Sequence, residues 1–315
     1  MQKEEFLKDL LSQAMLAPSS HNTQPWVFKL GDDKISLYAD RTRALPANDP
    51  DDRELTISCA CALLNARAAA AARGVGVRMT LLPDPQEEDL LAEIRVGGDV
   101  ESGLSSLGNS IPNRRTYRKQ FDGREVSADA LDRLRDEAAA EQAWLEPIID
   151  ERSRQITADL VTEGDAAQWA DPTWRRELAA WMHPRRSGDG LTLPWLTVPI
   201  ARIVVRTFDM GNGVGARDHA LAEGSPVLAV LGTEGDNETD WLNAGQALER
   251  VLLVATGFGL QASYLNQAIQ VPRLRPKLQN LINHEGYPQV LLRLGYPQDE
   301  ITAAPRRPLA EVLEE

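Results

Sequence analysis

The chain has 315 residues, 43% hydrophobic and 26% charged, which is ordinary globular composition with enough length for a substantial buried core. A formal net charge of −13 argues against nucleic acid or an anionic membrane as the main partner. The charged N-terminus and the lack of an apolar run near ~20 residues predict neither a signal peptide nor a membrane span, and so a cytoplasmic protein.

In chain order, Glu4–Leu16 has the spacing of a short amphipathic helix, with Phe6, Leu7, Leu10, Leu11 and Ala14 on one side. The run A-P-S-S-H-N-T-Q-P-W (Ala17–Trp26) follows. Pro18 and Pro25 bracket it, so the residues between form a shaped turn crowded with hydroxyl and amide groups. Such a turn is an ordinary connection or a surface for a polyhydroxylated ligand. Trp26–Leu30 and Ile35–Tyr38 predict a hairpin around Gly31, Asp32 and Asp33. Asp49 and Pro50 are read as the cap and first residue of a long helix that ends at Gly74. Its alanine-rich second half would let another helix approach closely. Cys59 and Cys61, two apart on it, face different ways, so no disulfide is expected. The four histidines are scattered, and no protein-ligated metal site is legible. Val75–Leu82 and Leu91–Val96 are the next predicted strands.

A loop near Gly97–Gly108 separates a second half, which begins near Asn113 and has a helix at about Ala128–Ala140. Gln168–Pro199 carries Trp169, Trp174, Trp181 and Trp195 among arginines, prolines and glycines. It is read as a helix (about Pro172–Met182) and then an irregular excursion that covers something. Pro226–Thr233 predicts a buried strand, Trp241–Gly257 a strong helix, Gln289–Gly295 a last strand, and the tail from Ile301 a loop and short helix. Helices and strands of mixed connection length favour α+β over a doubly wound sheet. No G-x-G-x-x-G follows a strand, so a Rossmann site is not supported.

One positive cluster stands out in this acidic chain, Asn113-Arg114-Arg115-Thr116-Tyr117-Arg118-Lys119. In an extended segment Arg114, Thr116 and Arg118 share a face, which suits a phosphate gripped by guanidinium forks. Arg306 and Arg307 could join them in space. The alternative is a solvated basic turn.

The polar turn, the arginine set and the aromatic cover together resemble the FMN-binding nitroreductase-like family over most of the chain. P-S-S-H-N-T-Q-P-W matches the family's flavin-facing turn and R-R-T-Y-R its phosphate motif, but in the reverse of the usual order. The order is explained if two related halves are fused into an internal pseudo-dimer, a truncated half at 1–108 and a second at 109–315 with a lid at about 168–199. D-P-D-D-R-E-L (Asp49–Leu55), W-L-N-A-G-Q (Trp241–Gln246) and P-R-R make the layout similar to the Acg-like branch.

The resemblance implies a nitroreductase-like α+β fold and one FMN per chain. Pro18, Ser19, Ser20 and Asn22 would lie against the ring and ribityl chain. Arg114, Thr116 and Arg118 would take the phosphate, with Arg306 or Arg307 as a further cation. Ala268, Ile269 and Gln270 fall where ordinary members have P-x-E-G beside the ring, and the proline and acidic residue are missing here. The implied activity is NAD(P)H-dependent reduction of nitroaromatic or quinone-like acceptors, by a monomer or homodimer, with no catalytic side chain required. The alternative is a protein that only sequesters or stores FMN under its lid. His21, beside the ring-facing residues, reads as a structural hydrogen-bonder before a proton donor.

Overall fold

The computed structural model describes residues 3–282 and 284–314. Helix α1 (Lys3–Ala14) buries Leu7, Leu10, Leu11 and Ala14 at the expected spacing. Strands β1 (Trp26–Leu30) and β2 (Lys34–Ala39) pair as a hairpin. Helix α2 (Arg53–Ala72) and strands β3 (Val77–Leu81) and β4 (Leu90–Val96) complete the first half. The chain then runs through short helix α3 (Ser102–Ser105), α4 (Ala128–Ala139) and strand β5 (Trp144–Ile148). Residues 149–226 then leave the sheet as helices α5 (Glu151–Ala170), α6 (Pro172–Ala180), α7 (Val198–Thr207) and α8 (Gly211–Glu223). Between α6 and α7, β6 (Met182–Pro184) pairs with β7 (Leu191–Leu193). The chain returns as β8 (Val227–Thr233), α9 (Glu238–Gly257), β9 (Gln261–Tyr264), α10 (Gln267–Gln270), α11 (Arg275–Ile282) and β10 (Tyr287–Gly295). The tail carries α12 (Leu309–Val312) and β11 (Leu313–Glu314).

The architecture is α+β. The first sheet is ordered β11-β1-β2-β4-β3 and the second β5-β8-β10-β9. Apart from β11, each is antiparallel and follows the same path: two strands, a long helix, two strands, in the same spatial order. β11 crosses back from the end of the chain and pairs in parallel with β1.

Two of the long helices, α2 and α9, terminate alike. Gly74 (φ +70°) lets Val75 N–H reach Ala70 O at 3.0 Å, and Gly259 (φ +76°) lets Leu260 N–H reach Ala255 O at 2.9 Å. Glycine takes the left-handed conformation that closes a helix this way at the least cost, which suits it to both ends. The helices pack so tightly that a Cβ on Gly245 would lie 2.2 Å from Ile57 O and 2.5 Å from Ala60 Cβ.

Strand β8 is buried on both faces. Val227, Ala229 and Leu231 belong to the main core with α2 and α9, while Leu228 and Val230 meet Ala158 and Val161 of α5 in a second core. That double burial explains its unbroken apolar run.

Three expectations change. α2 begins at Arg53, not at Asp49, because Pro50–Asp52 make a turn in which Asp52 is left-handed (φ +54°). Asp49 still serves the helix, since its Oδ2 accepts Leu55 N–H at 2.9 Å. β5 is an additional strand, obscured in the sequence by Pro147, which an edge strand tolerates. The helix read at about Pro172–Met182 is present as α6, but the excursion after it is not wholly irregular, since it carries the β6–β7 pair and gives way to α7 at Val198. α2 also reaches the length and apolar composition of a membrane span, and 94% of that stretch is buried inside the protein.

Candidate functional site

The Ala17–Trp26 turn is a 3₁₀ turn over Ser20–Asn22 in which His21, Asn22 and Gln24 all have positive φ (+49°, +57° and +52°). Left-handed backbone at non-glycine residues costs energy and persists only where its surroundings hold it. Here Gln24, fully buried, does much of the holding. Its N–H bonds Ser19 Oγ at 3.0 Å, its Nε2 bonds Gly188 O at 2.8 Å, and its Oε1 accepts Arg307 N–H at 2.9 Å. Asn22 Nδ2 donates to Pro305 O at 3.2 Å, and Asn22 Oδ1 accepts from Arg306 at 3.2 Å. The turn is thus the point where the 185–190 loop and the C-terminal tail are tied to the segment between α1 and β1.

Beside it lies a cavity of about 530 Å³, within the range of small-molecule sites. Pro18, Ser19, Ser20, Asn22, Arg114, Thr116, Arg118, Gln270 and Arg306 all line it. Residues 114–118 run extended beside β9, with Tyr117 N–H bonded to Ala262 O at 2.9 Å. Tyr117 is buried against Phe121, so Thr116 and Arg118 face the opening.

Three of the candidate residues lie elsewhere. Ala268 and Ile269 are buried in the core beneath α5, because the α10 turn directs their side chains into the apolar layer. Arg307 faces away, with Nη1 on Gln24 O at 3.1 Å and Nη2 on Glu311 O at 2.7 Å.

The arginines differ in how their hydrogens are used. Arg306 already donates to Met15 O (2.7 Å), Leu16 O (2.8 Å) and Ala17 O (3.0 Å), gathering carbonyls just after α1. Arg114, 5% exposed, donates to Leu16 O at 3.1 Å and sits 3.3 Å from the buried Glu249 carboxylate. Arg118 has no hydrogen-bond or ion-pair partner among the described residues, and its open surface faces the cavity. Burial lowers its pKa, as it does that of Arg306, which burial and neighbouring Arg114 bring down to about 9. Burial lifts Glu249 to about 7. This wall holds more positive charge than its single buried carboxylate balances, and an anion would relieve it.

Glu54, in the first turn of α2, also lines the cavity. Its carboxylate accepts from Ser20 Oγ at 2.7 Å and from Gln270 Nε2 at 2.9 Å. Its place in D-P-D-D-R-E-L, a carboxylate opening a helix beside a polar turn, is the one signal of it in the sequence. His21 also lines the cavity, and burial pushes its imidazole down to about 4. It is therefore neutral at neutral pH, with one ring N–H and no imidazolium charge.

The cover is broader than 168–199. Trp169 and Trp174 pack edge to face at 5.5 Å on the cavity wall, and Trp174 Nε1 donates to Asn48 Oδ1 at 3.0 Å. Gln168 Nε2 bonds Gln270 Oε1 at 2.8 Å. From α5 and α8 come Asp165, Arg217 and Asp218, none marked by the sequence pattern. Gln267 Nε2 donates to both carboxylates, at 3.1 Å to Asp165 and 2.9 Å to Asp218. Burial and then the Asp218 charge raise Asp165 to about 7. Trp181 does not line the cavity and Trp195 faces solvent, 65% exposed.

No protein-family profile matches the chain. It is 31% identical over 321 residues to a Mycobacterium tuberculosis protein named "Putative NAD(P)H nitroreductase Rv3131", spanning 98% of this chain and 91% of that one. It is 29% identical over 318 residues to the same organism's "Putative NAD(P)H nitroreductase acg", spanning 98% and 95%. Among solved structures, nitroreductase A from Vibrio parahaemolyticus overlaps 67% of this chain and 76% of its own at 14% identity, with a TM-score of 0.43. On the near-full-length likeness to the first of these relatives, the chain belongs to the NAD(P)H nitroreductase family of oxidoreductases.

Proposed function

We propose that the chain binds one FMN in this cavity and catalyses NAD(P)H-dependent two-electron reduction of nitroaromatic or quinone-like acceptors. The observation that carries the reading is a cavity lined both by Arg118, unpaired among the described residues, and by the Ser20–Glu54–Gln270 cluster. Arg118 and Thr116 would meet the phosphate, while Arg114 and Arg306 supply charge from behind. The Ser19–Asn22 turn would meet the ring and ribityl chain. Bound flavin would supply the hydride chemistry. The protein's part is to orient the group, exclude water with Trp169 and Trp174, and hold the partners around the cavity in register.

The proposal includes the architecture of two fused halves, 1–108 and 109–315, with the cavity at their junction. The common strand order and the matched ends of α2 and α9 support it. A flavin that is stored rather than turned over is the second reading, favoured by the Gln168–Gln270 bond that fastens the cover.

The absorption spectrum of the purified full-length protein, before and after anaerobic NADH or NADPH, separates these. Flavin bands that bleach with a nicotinamide and return with a quinone support the proposal. Flavin bleached by dithionite alone establishes storage. Colourless protein that takes up no FMN overturns both.

A further inference from the structure

Segment 172–208 has an inner face and an outer face. Inward, Trp174, Leu178 and Leu191 close the cavity. Outward, Trp195, Leu196, Ile200, Ile203 and Phe208 are between 59% and 66% exposed. Ile200 and Ile203 share one side of α7, with Trp195 and Leu196 exposed in the turn just before it, while Val198 and Val205 are buried on its other side. A water-soluble surface rarely leaves so much contiguous apolar area uncovered.

The charge around this patch is unlike that of the whole. Within 172–208 stand six arginines and two carboxylates, in a chain of net charge −13. Neither carboxylate lies free on the outer face. Glu177 accepts backbone N–H from Ala47 (2.8 Å) and Asn48 (3.0 Å), and Asp189 is paired with Arg43 and His183. Asp171 and Asp209, at the segment's ends, accept N–H from Thr173 and Gly211. Arg176 and Arg206 flank Ile203 in a shallow groove, and Arg185 and Arg186 are exposed on the loop before β7. A symmetric pairing of two such faces would bring together surfaces on which arginines outnumber acids, with Asp171 and Asp209 only at the segment's ends. An apolar patch with tryptophan at one end and arginines along its rim instead fits a lipid interface.

We propose that the α7 face seats the protein on an anionic membrane surface. Trp195, Leu196, Ile200 and Ile203 enter the boundary between headgroups and acyl chains, and Arg176, Arg186 and Arg206 meet lipid phosphates. The helix is 10 residues long, so it lies in the interface and does not cross it. Net charge argued the other way in the sequence because it averages a basic segment into an acidic chain.

The test is flotation of the full-length protein with vesicles of phosphatidylcholine containing phosphatidylserine, and with phosphatidylcholine alone. Binding is expected to the first and not the second. It should weaken on the order of tenfold in Arg176→Gln/Arg206→Gln and be lost in Trp195→Ser/Ile200→Ser. All four substituted side chains are exposed, and unchanged circular dichroism and thermal midpoints would verify folding. Quenching by brominated acyl chains should be smaller in Trp195→Phe than in the parent. Absence of binding, or equal binding by parent and variants, overturns the proposal. So does a dimer in light scattering that Ile200→Ser/Ile203→Ser converts to monomer, which would make the face a subunit interface.

Discussion

Arg114 and Arg118 lie four positions apart in one extended segment, yet their surroundings give them different work. Arg114 is buried against Glu249 and Leu16 O, so truncating it strands a carboxylate in the core. Arg114→Ala should cost about 3 kcal/mol of stability at pH 8. The loss should shrink near pH 6, because Glu249, already lifted to about 7 by burial, takes up a proton once the cation is gone. Arg118 has no partner to strand among the described residues. Arg118→Ala should leave the thermal midpoint of the flavin-free protein unchanged and raise the Kd for FMN roughly 10- to 100-fold. A fall in the flavin-free midpoint, with FMN affinity intact, would move the phosphate role away from Arg118. Asp165 makes a third prediction at this scale. Its carboxyl titrates at about 7 in the fold, against the ordinary 3.8, so the native state holds a proton that the unfolded chain releases. Its ionisation therefore costs stability progressively from about pH 4 upward, fully above pH 7. Asp165→Asn should accordingly stabilise the protein by on the order of 2 kcal/mol at pH 8 and by little at pH 4, as read from denaturant unfolding. A gain that is flat with pH would contradict the assignment.

Among elements, the α2–α9 crossing determines how the two sheets stand to one another. Small residues let the helices approach, and buried polar groups fix their register: Arg67 Nη1 donates to Gln246 Oε1 at 2.6 Å and Glu141 Oε2 at 2.8 Å. Gly245 sits where the backbones come closest. Gly245→Ala must push the helices apart, because its Cβ would meet the rigid backbone oxygen of Ile57. The expected loss is about 2–3 kcal/mol, visible as a lower denaturation midpoint. Little or no loss would show that the crossing can slide. The 19–24 turn is the second decisive element. Its left-handed residues are held by groups from Gly188, Pro305 and Arg307, all distant in sequence, so its shape is a property of the assembled chain.

Across the whole molecule, the chain's end closes the structure begun by its start. β11 adds to β1, Val312 is fully buried, and Glu311 O accepts from Arg307. Deleting residues 309–315 should cost about 2–3 kcal/mol and reduce FMN retention, since Arg306 and Arg307 lose their downstream anchor. Unaltered unfolding of the truncated chain would make β11 incidental.

Much of this was open to local reading. Apolar spacing marked α1, β1, β2, α2, β8 and α9, because a helix or strand that buries one side must repeat its apolar residues with its own period. The alternation at 114–118 placed Thr116 and Arg118 on one face for the same reason. What stayed hidden depends on partners remote in the chain. Nothing near Arg306 or Arg307 in sequence shows that one lines the cavity and the other turns from it. Nothing near Glu54 shows that Ser20 and Gln270 will converge on it, and Gln24 looked like one more polar turn residue. The cover beyond 168–199 escaped because α5 and α8 have mixed, weakly periodic faces, one toward the second core and one toward the cavity. The sequence by itself determined the elements with a clear apolar period, the family, and the polar-turn and arginine motifs. Only the tertiary structure decided which of those side chains meet, because hydrogen bonds and burial between distant segments leave no local period to read.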